Sequence, residues 1–137
     1  MSLVLDASAT LASIFPDETT ALIEAVFDRV ADEDAWVPSL WRIEVANILT
    51  QGVRRGRISL ARRDGALANL ARLPIFDDDE TGQHVWGKTM LLADIHHLTV
   101  YDATYLELAL RVSLPLATLD DDLREAALRE GVRLLGK

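Results

Sequence analysis

Four acidic residues, Asp6, Glu44, Asp102 and Asp120, stand where a chain of this pattern could build a reactive site. Asp6 closes the apolar run Leu3-Val4-Leu5, and Asp120 follows the apolar stretch Leu114 to Leu119. In open parallel sheets, ligands gather beyond the carboxyl ends of the strands, where the N-termini of the following helices also point. Asp102 heads the helical segment Asp-Ala-Thr-Tyr-Leu-Glu-Leu-Ala-Leu, and Glu44 lies about one turn into Leu40-Trp-Arg-Ile-Glu-Val-Ala-Asn-Ile-Leu. Helix capping explains an isolated Asp at a helix start. It does not explain Glu44, since a carboxylate among core-forming neighbours needs a partner. Two unit charges about 5 Å apart repel by roughly 3 kcal/mol at an effective dielectric near 20. Four carboxylates in one pocket must therefore be partly protonated or neutralised by cations. Oxygen ligands without cysteine or clustered histidine favour Mg²⁺ or Mn²⁺ over zinc, and such ions suit phosphodiester hydrolysis.

The elements that would position these acids alternate along the chain. Leu3–Leu5 reads as a buried strand ending in a turn and helix start at Asp6-Ala-Ser, and Ala21, Leu22, Ala25, Val26 and Val30 fall at helical spacing between about 18 and 31. Trp36-Val37 is a second strand closed by Pro38-Ser39, with Ser39 placed to cap the helix that carries Glu44 and Gly56 placed to break it. Ser59 opens a helix to about Arg72, Pro74-Ile75-Phe76 reads as a third strand, and Asp77 to Glu80 precede one helix running to about His96. Leu98-Thr99-Val100 reads as an extended lead into the Asp102 helix. Leu114–Leu119 reads as a strand, a helix runs from Asp120 to about Glu130, Gly131 stops it, and Val132–Leu135 forms a last strand. Such alternation predicts an α/β fold, a three-layer sandwich around a central, mostly parallel sheet, with 1–137 forming one domain.

In this order, Val4-Leu-Asp6-Ala-Ser8, Trp41-Arg-Ile-Glu44-Val-Ala-Asn47-Ile-Leu, Leu98-Thr-Val-Tyr-Asp102-Ala-Thr-Tyr-Leu and Leu116-Ala-Thr118-Leu-Asp120 resemble the four acidic motifs of the PIN-domain ribonucleases. The likeness is strongest to the VapC-type toxins of bacterial toxin–antitoxin pairs, and it spans essentially the whole chain. It implies a PIN-like fold and a Mg²⁺- or Mn²⁺-dependent endoribonuclease that hydrolyses RNA with a metal-activated water. It also implies a homodimer held inactive by a VapB-like antitoxin. By position, Asp6, Glu44, Asp102 and Asp120 match the family's catalytic and metal-binding acids, and Thr118 matches its hydroxyl residue. Ser8 and Asn47 are candidate supports for the acids, Asn47 lying one turn beyond Glu44 on the same helical face. Asp122 is an auxiliary acid, and Asp121 reads as a solvated first-turn residue.

The chain carries a net charge of −8, which opposes polyanion binding, yet Arg42 to Arg72 holds seven arginines against two acids. Beside an acidic metal site, this stretch offers RNA contacts from Arg54, Arg55, Arg57, Arg62 and Arg63. Other polar clusters have plainer explanations. Asp77 to Glu80 reads as a helix N-terminal cap, Asp94 as a surface acid, and His84, His96 and His97 lack ligand spacing. Trp41, Trp86 and Tyr105 read as packing residues. The absence of cysteine excludes disulfides and thiol chemistry. With neither a signal-like start nor an apolar run of membrane-spanning length, the expectation is a cytoplasmic protein without membrane contact. A PIN-like nuclease of RNA maturation is the nearest alternative. A Mg²⁺-binding phospho-receiver is the alternative from another class, but it needs an acceptor Asp after the third strand and a Lys after the fifth, and the only lysines are Lys88 and Lys137.

Overall fold

The structure is a computed structural model and describes residues 2–137. Five short strands, β1 (Leu3–Leu5), β2 (Ala35–Val37), β3 (Ile75–Asp77), β4 (Leu116–Ala117) and β5 (Leu134–Leu135), form one sheet in the order β3-β2-β1-β4-β5. Every pairing is parallel. Leu3, Val4, Leu5, Leu116 and Ala117 are fully buried, as expected where helices cover both faces of a sheet.

Each parallel pairing needs a helical crossover. Helices α1 (Ala7–Ile14) and α2 (Ala21–Asp32) join β1 to β2, and α3 (Trp41–Arg54) and α4 (Leu60–Ala71) join β2 to β3. These four pack together: α1 on α2 and α3, and α3 on α4. The return from β3 to β4 runs through α5 (Thr81–His84), a π-helical turn (Val85–Thr89), α6 (Met90–His96) and α7 (Val100–Val112), and α8 (Asp121–Arg129) leads to β5. Helix α7 packs on α6 and α8 and on β1 and β4. Because crossovers are right-handed, the outward path from β1 to β3 and the return through β4 to β5 place their helices on opposite faces. The result is the expected three-layer α/β sandwich, with an all-parallel sheet.

The order also rules out the phospho-receiver alternative, whose sheet runs 2-1-3-4-5. Here β3 is an edge strand, so Asp77 lies two strands from β1. Local chemistry accounts for four of the eight described α-helix starts: Thr20, Ser59, Thr99 and Asp120 each accept a hydrogen bond from the amide three residues on. Two local expectations fail. Ser39 does not cap α3; its amide instead donates to Thr81 Oγ1, tying the β2–α3 turn to the start of α5. The single helix expected up to His96 is broken at Gly87, whose φ of −116° and ψ of −106° leave the helical region.

Candidate active site

Asp6 and Thr118 are neighbours because of strand register. The β1–β4 pairing sets Val4 against Leu116 and Leu5 against Ala117, and it continues in a 3.0 Å bond from the Asp6 amide to the Ala117 carbonyl. Thr118 Oγ1 then donates to Asp6 Oδ2 at 2.7 Å, and Ser8 Oγ donates to the same oxygen at 2.5 Å. Both hydroxyls accept backbone amides in turn, Ser8 from Leu119 at 3.0 Å and Thr118 from Asp120 at 3.1 Å. With its oxygen engaged by an amide, each hydroxyl aims its proton at Asp6. Asp6 is 4% exposed. Burial raises its carboxyl pKa, and the Ser8 and Thr118 bonds only partly offset that rise.

The other acids reach the same place from three more segments. On α3, Glu44 accepts from Tyr105 Oη at 2.5 Å. Burial raises Glu44 above the ordinary carboxylate range, opposed by the Tyr105 bond and assisted by the Asp6 charge. Tyr105 is wholly buried on α7. Burial first, then Asp6, then the bond to Glu44 push its phenol far up, so it remains a donor at every physiological pH. Asp102 stands one turn before Tyr105 on the same helical face. Burial, followed by the charges of Asp6, Asp120 and Glu44, pushes its carboxyl up to about 7. Asp120 leaves β4 and caps α8, its Oδ1 accepting the Leu123 amide at 2.8 Å.

These four acids line a single cleft of about 320 Å³, together with Ser8, Leu11, Phe15, Glu18, Ile48 and Arg57. The cleft lies beyond the carboxyl ends of β1 and β4. Outgoing and returning connections part between these strands, which is where open parallel sheets bind their ligands. A larger groove of about 530 Å³ between α1, α2 and α4 contains none of the four acids; charge, rather than volume, singles out the smaller cleft. Among the described residues, carboxylate oxygens of three residues come within 4.8 Å of one another at Asp78, Asp79 and Glu80. Arg111 offsets part of the charge of that trio: it reaches Asp78 at 2.6 and 3.1 Å, lies 3.8 Å from Glu80, and also binds Glu107. Asp6, Glu44, Asp102 and Asp120 line a wider opening and, among the described residues, have no arginine bonded to them.

Comparison with known proteins gives this constellation a family. The PIN domain family matches residues 3–128. The chain belongs to the PIN-domain family. Ribonuclease VapC3 from Pyrobaculum aerophilum is 35% identical over 128 residues, covering 91% of this chain and 94% of that protein. The match places this PIN protein among the VapC-type members. The crystal structure of PAE2754 from Pyrobaculum aerophilum superposes with a TM-score of 0.70 at 24% identity, over 98% of this chain and 89% of that one. FitAcB from Neisseria gonorrhoeae superposes with a TM-score of 0.53 at 19% identity, over 99% and 97%. These two structures share the fold.

Not every residue singled out in the sequence reaches the cleft of this PIN domain. Asn47 is exposed and Asp122 lies exposed in the first turn of α8; neither lines the cleft. For Asn47, a shared helical face with Glu44 is not enough, because Ile48 takes the place at the cleft wall. Of the five arginines, Arg57 borders the cleft. Arg62 is a strut that donates to the Ile14 carbonyl at 2.8 and 3.3 Å. Arg63 pairs with Asp64, and Arg54 and Arg55 are exposed at the end of α3. Arg42 pairs with Asp77 at 3.0 Å and lies 5.4 Å from the centre of the Trp41 ring. Trp41 is core, as expected, and donates to Thr10 Oγ1. Trp86, at the Gly87 break, is 91% exposed and outside the core. His96 pairs with Glu130 at 2.7 Å. The residue most undervalued in the sequence is Tyr105, read as packing alone. Its spacing of three from Asp102 was the signal that it shares the helical face turned to the acids.

Proposed function

We propose that this VapC-type PIN protein, as one domain over residues 1–137, is a divalent-metal-dependent endoribonuclease and the toxin of a toxin–antitoxin pair. The supporting observation is that Asp6, Glu44, Asp102 and Asp120, from four separate segments, line one cleft at the β1/β4 switch point. PIN nucleases use divalent metals. The donor set here, carboxylates with supporting hydroxyls and no thiol, suits a hard cation such as Mg²⁺ or Mn²⁺. Asp6, Glu44, Asp102 and Asp120 would hold it. Bound there, a divalent cation supplies Lewis-acid activation of the attacking water and positive charge for the transition state. Ser8 and Thr118 orient Asp6 through Oδ2, and Tyr105 orients Glu44 through Oε1. Asp102, with a carboxyl at about 7 in the metal-free cleft, ionises fully as cation charge replaces the repulsion of its neighbours.

For the antitoxin, a VapB-like partner, the seat we favour is the groove between α1, α2 and α4. Ile23, Phe27 and Leu70 give it apolar lining, and Glu24 and Asp28 lie at its edge. That combination suits an amphipathic helix with basic residues. Exposed Ile43 and Trp86 are consistent with a homodimer. Among the described residues, no helix is long and apolar enough to cross a membrane; we place the protein in the cytoplasm, with its RNA substrate. The test is RNA cleavage by Asp6→Ala and Asp102→Asn. Both variants should lose cleavage and toxicity with unchanged circular dichroism, and retained cleavage by both would overturn the proposal.

A further inference from the structure

The geometry points to Arg57 as the residue that grips an RNA phosphate at this cleft, with Asp17 and Glu18 masking it until the substrate displaces them. The inference rests on the ribonuclease reading above and assigns a substrate contact and a restraint that the acid motifs do not contain.

Among the described residues lining the cleft, Arg57 is the one cation facing five carboxylates, Glu18 included. A polyanion entering there meets repulsion everywhere except at this guanidinium. The group is set on a platform: its Cζ lies 3.9 Å from the centre of the Phe15 ring, and Phe15 is 1% exposed. Helix α3 closes on the ring at Gly52, where an added Cβ would stand 3.3 Å from Phe15 Cζ. Arg57 follows Gly56, whose φ of +71° turns the chain back toward α1.

At rest, Arg57 Nη2 donates to Glu18 Oε2 at 2.6 Å and to the two Asp17 oxygens at 3.1 and 3.2 Å. Two negative charges on one positive leave the pair-bound arginine with little attraction for RNA. These partners sit on the α1–α2 turn, and the Asp17 side chain is 71% exposed. Exposed ion pairs of this kind are weak and exchange readily. Two oxygens of a phosphate can also be held by the planar fork of the guanidinium. Phe15 keeps the guanidinium in place while its partners change.

The test measures binding of a fluorescent single-stranded RNA in EDTA, where hydrolysis does not interfere, and KM in Mn²⁺. Arg57→Ala should weaken binding about tenfold, reduce the salt slope by about 0.7 and raise KM with kcat little changed. The double change Asp17→Asn with Glu18→Gln should tighten binding by about three- to tenfold in the native background and by less than about twofold beside Arg57→Ala. Unchanged binding and KM for Arg57→Ala would overturn the grip. Equal tightening in both backgrounds, or weaker binding on removing the two carboxylates, would overturn the mask. Absence of cleavage by the native protein in Mn²⁺ would instead overturn the ribonuclease reading.

Discussion

Replacing Asp102 with Asn should make the metal-free protein more stable while destroying its activity. The carboxyl of Asp102 is pushed from its ordinary 3.8 to about 7 by burial and by Asp6, Asp120 and Glu44. The folded state therefore retains a proton that the unfolded chain has released between about pH 4 and pH 7. Stability is highest below that window and falls as pH rises through it. A shift of that size corresponds to about 4 kcal/mol, and screening at a group that is only partly buried roughly halves it, to about 2 kcal/mol. Asn keeps the shape and loses the charge, so in EDTA at pH 8 Asp102→Asn should gain about 2 kcal/mol, or about 8 °C in Tm for a chain of this size. Near pH 4 the two proteins should melt together. The assay is thermal and urea unfolding across pH 4–8, with and without EDTA. Mn²⁺ should narrow the gap at pH 8 by stabilising the native protein more than the variant. A pH-independent difference in EDTA would refute the claim that the four acids share one field.

Tyr105→Phe should leave Glu44 without its donor, lowering cleavage about tenfold and raising the Mn²⁺ concentration needed for half-maximal rate, both read from metal titrations. Thr118→Val, nearly isosteric, removes the bonds to Asp6 and to the Asp120 amide; urea unfolding should show a loss of about 2 kcal/mol. Arg111→Met strands Asp78 and Glu107, both buried, and should cost about 3 kcal/mol at pH 7. Arg111 and Thr81 hold Asp78 below the ordinary carboxylate range, outweighing the effect of burial. The stability from that pairing is present above the ordinary carboxylate pKa and lost as pH falls below it, so the gap to the variant should shrink below about pH 4 in chemical denaturation.

Much of the fold and the site was legible because it is written locally. Apolar runs ending in Asp6 and before Asp120 mark strands whose carboxyl ends bear acids. The hydroxyl of Ser59 and the carboxylate of Asp120 mark where two of the helices begin. What escaped depends on contacts between distant segments. Ser39 has the right chemistry for a cap, but its amide is taken by Thr81, 42 residues away. Trp86 carries an apolar ring in a helical stretch, yet the break at Gly87 leaves it in solvent. Asn47 and Asp122 share the neighbourhood of true cleft residues in sequence, and side-chain direction separates them.

By itself, the sequence determined the alternation of elements, the absence of thiol chemistry and the four acids at strand ends or in first helical turns, since each follows from local periodicity, composition or capping. Only the tertiary structure decided that β4 returns beside β1, which puts Thr118 against Asp6 and Tyr105 against Glu44. It also decided that Arg57, alone of five similar arginines, faces the acids. Strand order and register are set by burial across the whole chain, and the strength of charge coupling depends on distances that no local pattern encodes.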